Sequence, residues 1–366
     1  MEIEEVKRST LQDIADLTGV SKATVCRVMK NYAHVRPDVV KTVRKAARKL
    51  GYRPDPALSA LAKHRWNKRG ASACSWSIAL VDVLPGKRDE EAHTNRADLY
   101  TAYDKIAATM GFGGGYFHLG DFKSADELGR VLYHRGFDGA VVHVARPLTK
   151  WSFPWERFAT VILGYDHPSH RQHSICSDWG GAVNLAWEKI VASGRKDPAF
   201  LCFAHGHPHF DQQIFGAMCN KLHTALGGNR WTSRLFHYDS DFLSRSNARD
   251  LFARWFDKVK PDSIIDGNSV AIWWLRDLGI KVPEDVGYCS LMGSSRDMAN
   301  ADGVQFSGIS HRYDLQVILA VEKIISLLQL NRKGSPEVPL RSFVECDWDA
   351  ISPLSGLARK SPSKKL

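Results

Sequence analysis

No apolar run in this chain approaches the roughly 20 residues that a membrane helix needs, so no membrane partner is expected. The charged opening "MEIEEVKRST" has no apolar stretch of the kind a secretory leader carries, and a cytoplasmic location is the expectation. The seven cysteines (Cys26, Cys74, Cys176, Cys202, Cys219, Cys289, Cys346) form no C-x-x-C pair, and several sit in apolar runs such as "FLCFA". That pattern fits small buried side chains in a reducing compartment. There is no G-x-S-x-G elbow and no H-E-x-x-H. "GFGGG" at 111–115 lacks the full G-x-G-x-x-G spacing and follows a helical stretch, so it reads as a helix-to-strand turn and not as a phosphate loop. No spacing demands a nucleophile or an acid/base pair; neither an enzyme nor a cofactor is expected.

What is present is an uneven charge. Residues 1–69 hold 16 Lys and Arg against 7 Asp and Glu, while the whole chain of 366 residues carries +10. The last ten residues, "LARKSPSKKL", are basic as well, which leaves the long middle slightly acidic. A basic head on an ordinary body points to a polyanion partner for the head alone. The length allows two or three compact units.

The head reads as three short helices. Thr10 with Asp13 is a capping pair opening "LQDIADLT", and Gly19 ends that helix in a left-handed turn. In "GVSKATVCRVMKN", Ser21 is placed to cap a second helix with Val25, Val28 and Met29 on one face. Lys22, Ala23 and Arg27 fall on its other faces; taken alone, this stretch is also what a solvated surface helix looks like. Pro37 opens a third helix through "DVVKTVRKAARKL", with Val39, Val40, Val43, Ala46, Ala47 and Leu50 inward and Gly51 as its stop. Two short helices across a glycine turn, braced by a third, make a helix-turn-helix, whose second helix presents its first residues to base edges in the major groove. "YRPDPALSALAKHRW" then continues as helix formers too few to be stable without support.

The run "TLQDIADLTGVSKATVCRVMKN…HVRPDVVKTVRKAARKLGYRPDPALSALA" resembles the N-terminal DNA-binding segment of the lactose-repressor (LacI/GalR) family of bacterial transcription regulators. The resemblance implies base contacts from Lys22, Ala23 and Arg27. Chemically, the two cations suit guanine O6/N7, and the alanine suits a thymine methyl. Ser9, Ser21, Thr24 and His34 are the implied phosphate contacts, and Cys26 replaces a family serine, losing a hydroxyl. The resemblance further implies a hinge helix that folds on DNA and wedges a leucine into the minor groove. Leu61 matches that position and Leu58 is the alternative, since "PALSALA" departs from the usual order.

From about residue 74, strand-like apolar runs alternate with amphipathic stretches: "SWSIALVDV", 97–110, "GYFHL", "SADELGRVLYHRG", "DGAVVHV", "FATVILG" and "SICSDWGG". The cycle restarts with 180–193, "AFLCFA", 211–226, "SRLFHY", 244–258, "DSIID", 268–278 and "DVGYCSLMG". Such alternation predicts two successive α/β lobes with a cleft at their strand ends. The body resembles the same family's core, itself like periplasmic sugar-binding proteins. The expected fold is therefore an all-α helix-turn-helix head with a hinge helix, joined to an α/β two-lobed core. The divisions are 1–52 for the DNA-binding domain, 53–70 for hinge helix and linker, 71–356 for the effector-binding and dimerisation core, and 357–366 for a basic disordered tail.

Departures from the family pattern bear on the effector. Gln213, before Gly216, stands where the family has a sugar-holding arginine. Gly267-Asn268 stands for Asn-Asp, and Ser290-Leu291-Met292 for Gly-Tyr/Phe-Asp. With those charged groups missing, a family-typical sugar is not favoured. The expected cleft residues are Gln213, Asn268, Phe242, Trp179, Trp273 and Asp178, with Trp274 as a further aromatic; an apolar stripe including Trp273 and Trp274 is more often core. "HGHPHF" sets His205, His207 and His209 at alternate positions, which an extended chain would project to one side as metal ligands; solvation or effector contact explains them equally. "DHPSHRQH" offers His167, His170 and His173 in a surface loop.

The leading expectation is a sequence-specific transcription regulator, a repressor, binding double-stranded DNA at a pseudo-palindromic operator as a homodimer, with a small molecule of unknown identity in the cleft. The alternative is an architectural DNA-binding protein whose core is a dimerisation scaffold that answers to no effector.

Overall fold

The computed structural model describes residues 9–29, 35–52, 76–83, 95–144, 152–164, 171–206, 208–227, 230–297, 303–352 and 354. The predicted hinge with Leu58 and Leu61, the basic tail and His34 lie outside these residues.

The head is three helices: α1 (Leu11–Thr18), α2 (Lys22–Met29) and α3 (Pro37–Lys49). A closed capping box starts α1. The Thr10 hydroxyl accepts from the Asp13 amide at 3.3 Å, and the Asp13 carboxylate accepts from the Thr10 amide at 2.6 Å. Gly19, at φ 66°, takes the left-handed turn that lets α2 follow at once. Past the end of α3, the Gly51 amide donates to Arg48 O and the Tyr52 amide to Ala47 O, closing the last turn on its own carbonyls. Ile14, Ala15, Val25, Val28, Val43, Ala46 and Ala47 are the buried core these helices share.

Among the described residues, the body is two six-stranded sheets. The first joins β1 (Ser77–Val83), β2 (Gly113–His118), β3 (Gly139–Val144), β4 (Ala159–Gly164), β5 (His173–Ser177) and β11 (Arg341–Val344), in the order β11-β5-β4-β3-β1-β2. The second joins β6 (Pro198–Ala204), β7 (Leu235–Asp239), β8 (Ser263–Asp266), β9 (Gly287–Ser290), β10 (Ser307–Ser310) and β12 (Asp347–Asp349), in the order β12-β10-β9-β8-β6-β7. Pairing is parallel throughout except between β10 and β12. β3 and β8 are buried along their whole length, as strands covered on both faces must be.

Helices cover both faces of each sheet. In the first lobe, α4 (Asn95–Met110) and α11 (Tyr313–Gln329) pack on one face, and α5 (Ala125–His134) lies across the other. In the second, α6 (Trp179–Ala192) and α7 (Pro208–Leu226) face α9 (Ala248–Val259) and α10 (Ala271–Asp277) across the sheet. "GFGGG" is the expected turn into a strand: Gly111 is left-handed at φ 65° and β2 begins at Gly113.

The expectation of two successive lobes is corrected in one respect. The chain returns after β10: α11 and β11 complete the first lobe, and β12 then completes the second. Among the described residues, the polypeptide therefore passes between the sheets three times, at 177–179, 310–313 and 344–347. Among the described residues, no helix is long and apolar enough to cross a membrane.

Candidate DNA-binding face and inter-lobe cleft

On α2 the apolar side is spent on the head's core, with Val25 and Val28 buried, while Ser21, Lys22, Ala23 and Arg27 are exposed. The Ser21 hydroxyl accepts from the Thr24 amide at 3.2 Å and pairs with the Thr24 hydroxyl at 3.0 Å. This fixes the first turn, so Lys22 and Ala23 stand at a capped helix start with Arg27 about one turn on. The exposed residues of α3 add Lys41, Lys45, Arg48 and Lys49 to a basic surface. Arg36 turns instead to Asp38, at 2.6 Å, and its guanidinium holds that carboxyl below its usual pKa. Ser9 is differently engaged from its expected phosphate role. Its one proton goes to Leu50 O at 2.6 Å, tying the residue ahead of the α1 cap to the end of α3, and a phosphate bond would require giving that up.

The second candidate site lies where the strands of the two lobes end. Asp266, at the end of β8, is fully buried. Tyr238 and Tyr288 donate their hydroxyls to it at 3.3 and 2.8 Å, and the Asn268 and Ala271 amides donate at 3.0 and 2.8 Å. Burial raises its pKa and the four donors pull it back. This carboxylate is thus committed to holding the 267–271 turn and the start of α10. Sequence reading passed it over as the last letter of "DSIID"; a strand ending in an acid before Gly-Asn-Ser was the available signal. The Ser269 and Ser290 hydroxyls are hydrogen-bonded to each other in the same buried layer.

The expected cleft residues divide. Asp178 caps α6, accepting from the Gly181 amide at 2.9 Å. Trp179 is buried between Phe210 and His311, with ring centroids 4.6 and 4.4 Å away. Gln213 and Asn268 are half-buried on α7 and after β8. Phe242, on the short helix α8 (Ser240–Leu243), packs with Phe236, Tyr238 and Trp274 at the cluster between the second sheet and α9 and α10. Trp273 lies under the Arg276 guanidinium, 4.7 Å from its ring centre. The structure places Asp178 and Trp179 on the first passage between the lobes, Phe242 just after the end of β7 and Trp273 near the start of α10.

The extended-chain reading of "HGHPHF" is corrected: α7 begins at Pro208, which bends the chain before His209. The His205 ring meets the Asp211 carboxylate at 3.4 Å and the edges of Phe203 and Phe210. The side chains of His207 and His209 lie outside the described residues, and among the described residues no group of three or more potential ligands gathers. His173, expected in a surface loop, is instead buried in β5, where its Nδ1 accepts from the Leu340 amide at 3.0 Å. His167 and His170 lie outside the described residues.

Comparison with known proteins bears on the family of the head and on the fold of the body. The family described as "Bacterial regulatory proteins, lacI family" matches residues 10–55. The regulator GalS of Salmonella typhimurium is 49% identical over 199 residues, 54% of each chain. The sucrose operon repressor of Escherichia coli is 25% identical over 312 residues, covering 78% of this chain and 85% of that protein. The chain spans only 54–65% of the length of the first curated relatives it matches. Among solved structures, a complex of the transcriptional regulator CelR with cellobiose superposes with a TM-score of 0.55 at 18% identity, over 94% of this chain and 100% of that one, a likeness of fold.

Proposed function

We propose, because residues 10–55 of this chain are a DNA-binding domain of the lacI family of bacterial regulatory proteins, that the protein is a sequence-specific transcription regulator of the repressor type, acting as a homodimer on a pseudo-palindromic operator. The observation that carries this reading is the capped start of α2 with Lys22, Ala23 and Arg27 exposed together. Two cations suited to guanine edges and one apolar contact make a base-reading surface, and the basic side of α3 supplies phosphate attraction. One such head touches too few bases for genomic selectivity, which is the argument for a dimer. Residues 1–52 form the reading head, 53–70 the hinge and 71–356 the sensing and dimerising core.

The core senses a small molecule at the strand ends between its lobes. Asp266 is locked by its four donors, and the half-buried Gln213 and Asn268 are read as polar groups that meet that molecule on the second lobe. Their neutrality favours an uncharged effector. CelR, of the same fold, is paired with cellobiose in its complex. A ligand that prefers one lobe arrangement shifts the population of heads able to engage DNA.

Selection of bound duplexes from a random pool tests the reading. The full chain is expected to enrich an inverted repeat, and Lys22→Ala with Arg27→Ala to lose that enrichment while keeping salt-sensitive binding. Enrichment of no sequence by the unsubstituted chain would leave the architectural reading in its place.

A further inference from the structure

The three passages between the lobes are joined by one buried chain of hydrogen bonds. Gln316, on the first turn of α11, donates from Nε2 to the Ser177 hydroxyl at 3.1 Å and to His311 O at 2.6 Å. His311, in the middle passage, bonds through Nε2 to Leu291 O at 2.8 Å. A carbonyl can only accept, so Nε2 carries the proton and Nδ1 is the acceptor for the Ser177 hydroxyl at 3.0 Å. Every donor then points the same way: Gln316 to Ser177, Ser177 to His311, His311 to Leu291. The third passage joins through Cys346, whose sulfur lies 3.7 Å from His311 Nδ1 and 3.8 Å from Asp178 O. Trp179 lies across the imidazole.

The two ends of this chain are what give it meaning. Gln316 belongs to the helix that returns to complete the first lobe, and its packing neighbours Val317, Ala320 and Val321 are buried there. Leu291 follows β9 in the second lobe, its amide donating to Asp266 O at 2.8 Å, and the next amide, of Met292, donates to Ser290 Oγ at 2.9 Å. Ser290-Leu291-Met292 is the segment at the strand ends where the effector is read to sit. Gln316, Ser177 and His311 are all buried, so a rotation of one lobe against the other cannot replace these bonds with bonds to water.

We propose that the Gln316–Ser177–His311–Leu291 relay is the positioning element that couples the cleft wall at 290–292 to α11, and through it sets the lobe orientation on which DNA binding depends. This rests on the reading of the inter-lobe cleft as the effector site. Lost or shifted bonds at Leu291 are passed on as a change at Ser177 and Gln316, on the other lobe. A two-state element that both ends bias is the physical requirement for coupling between sites.

Amide exchange on the full chain reads the relay without any ligand. Ser177→Ala removes the side-chain link from Gln316 to the His311 ring, leaving only the Gln316 bond to His311 O, and the Leu291 and Met292 amides on the second lobe are expected to exchange about tenfold faster, the worth of one buried hydrogen bond. His311→Gln, which keeps a donor for Leu291 O, is expected to speed exchange at the Leu315 and Gln316 amides instead. The two changes together should do no more than the larger alone, because they break one chain. On a duplex selected by the unsubstituted protein, each single change should move affinity by about threefold or more, again without adding. Exchange confined to residues touching the substituted side chain, or additive effects, overturns the relay. An intact exchange pattern with unchanged duplex affinity overturns its role in regulation. If the unsubstituted chain selects no duplex while the exchange pattern holds, the DNA-binding reading falls and the coupling between lobes stands.

Discussion

At the scale of single residues, the polar groups decide what the fold can do, and they were unequally legible. Thr10, Asp13, Gly19 and Ser21 could be read in advance because capping is a local matter, settled within three or four positions. His311 could not, because its partners Ser177 and Leu291 lie 134 and 20 positions away and only the fold brings them together. Burial lowers the pKa of His311 from 6.5 to about 4, and the Leu291 carbonyl opposes this only in part. The neutral ring belongs to the folded state, so in acid the unfolded chain takes the proton first. Stability is unaffected above the ordinary value and falls as pH drops from about 6.5 toward about 4, by about 3 kcal/mol over that window. His173, lowered by burial with Lys323 and Arg332 nearby, adds to the same fall. Urea unfolding at pH 7 and pH 4.5 should show a smaller acid loss for His311→Gln than for the unsubstituted chain. An equal loss in both would place the acid sensitivity elsewhere. The Cys346 thiol beside it is pushed up to about 12 by burial, which makes it a packing group and not a nucleophile at neutral pH.

At the scale of elements, strands and helices with a clear period were found where expected, and the misses have a common cause. Alternation could be followed as far as "DVGYCSLMG", but the chain then leaves the pattern of one lobe and re-enters the other. α11 carries buried Val317, Ala320, Val321, Ile324, Leu327 and Leu328 at helical spacing, so its existence was written in the sequence, whereas its address was not. The address is set by close packing: a Cβ at Gly139 on β3 would stand 2.5 Å from Ile324 Cγ2 on α11 and 3.1 Å from Ala159 O. Gly139→Ala should therefore push α11 off the sheet and lower stability by roughly 1–3 kcal/mol, read as a fall in Tm. An unchanged Tm would mean that α11 is less firmly seated than its buried face indicates. The histidines of "HGHPHF" are the opposite lesson. Their alternate spacing suggested an extended strand, but Pro208 opens α7 within the motif, and proline at a helix start outweighs a period-two pattern.

At the scale of the whole molecule, a basic head precedes a two-lobed body whose halves share three passages of chain among the described residues. The uneven charge is the feature of the sequence that reached furthest, because long-range attraction to a polyanion needs no knowledge of the fold. It cannot by itself separate reading from clamping: phosphate contacts give affinity that fades with salt on any sequence, while base contacts give a ratio between sequences. The most direct measurement is therefore the affinity of the full chain for its selected duplex and for a scrambled one across a series of salt concentrations, repeated with Lys22→Ala and Arg27→Ala. The account predicts parallel salt slopes on both duplexes and a preference for the selected one, which each substitution reduces by roughly 1–3 kcal/mol if the lost contact is to a base. Equal affinity for the two duplexes at every salt concentration, unmoved by either substitution, would contradict it.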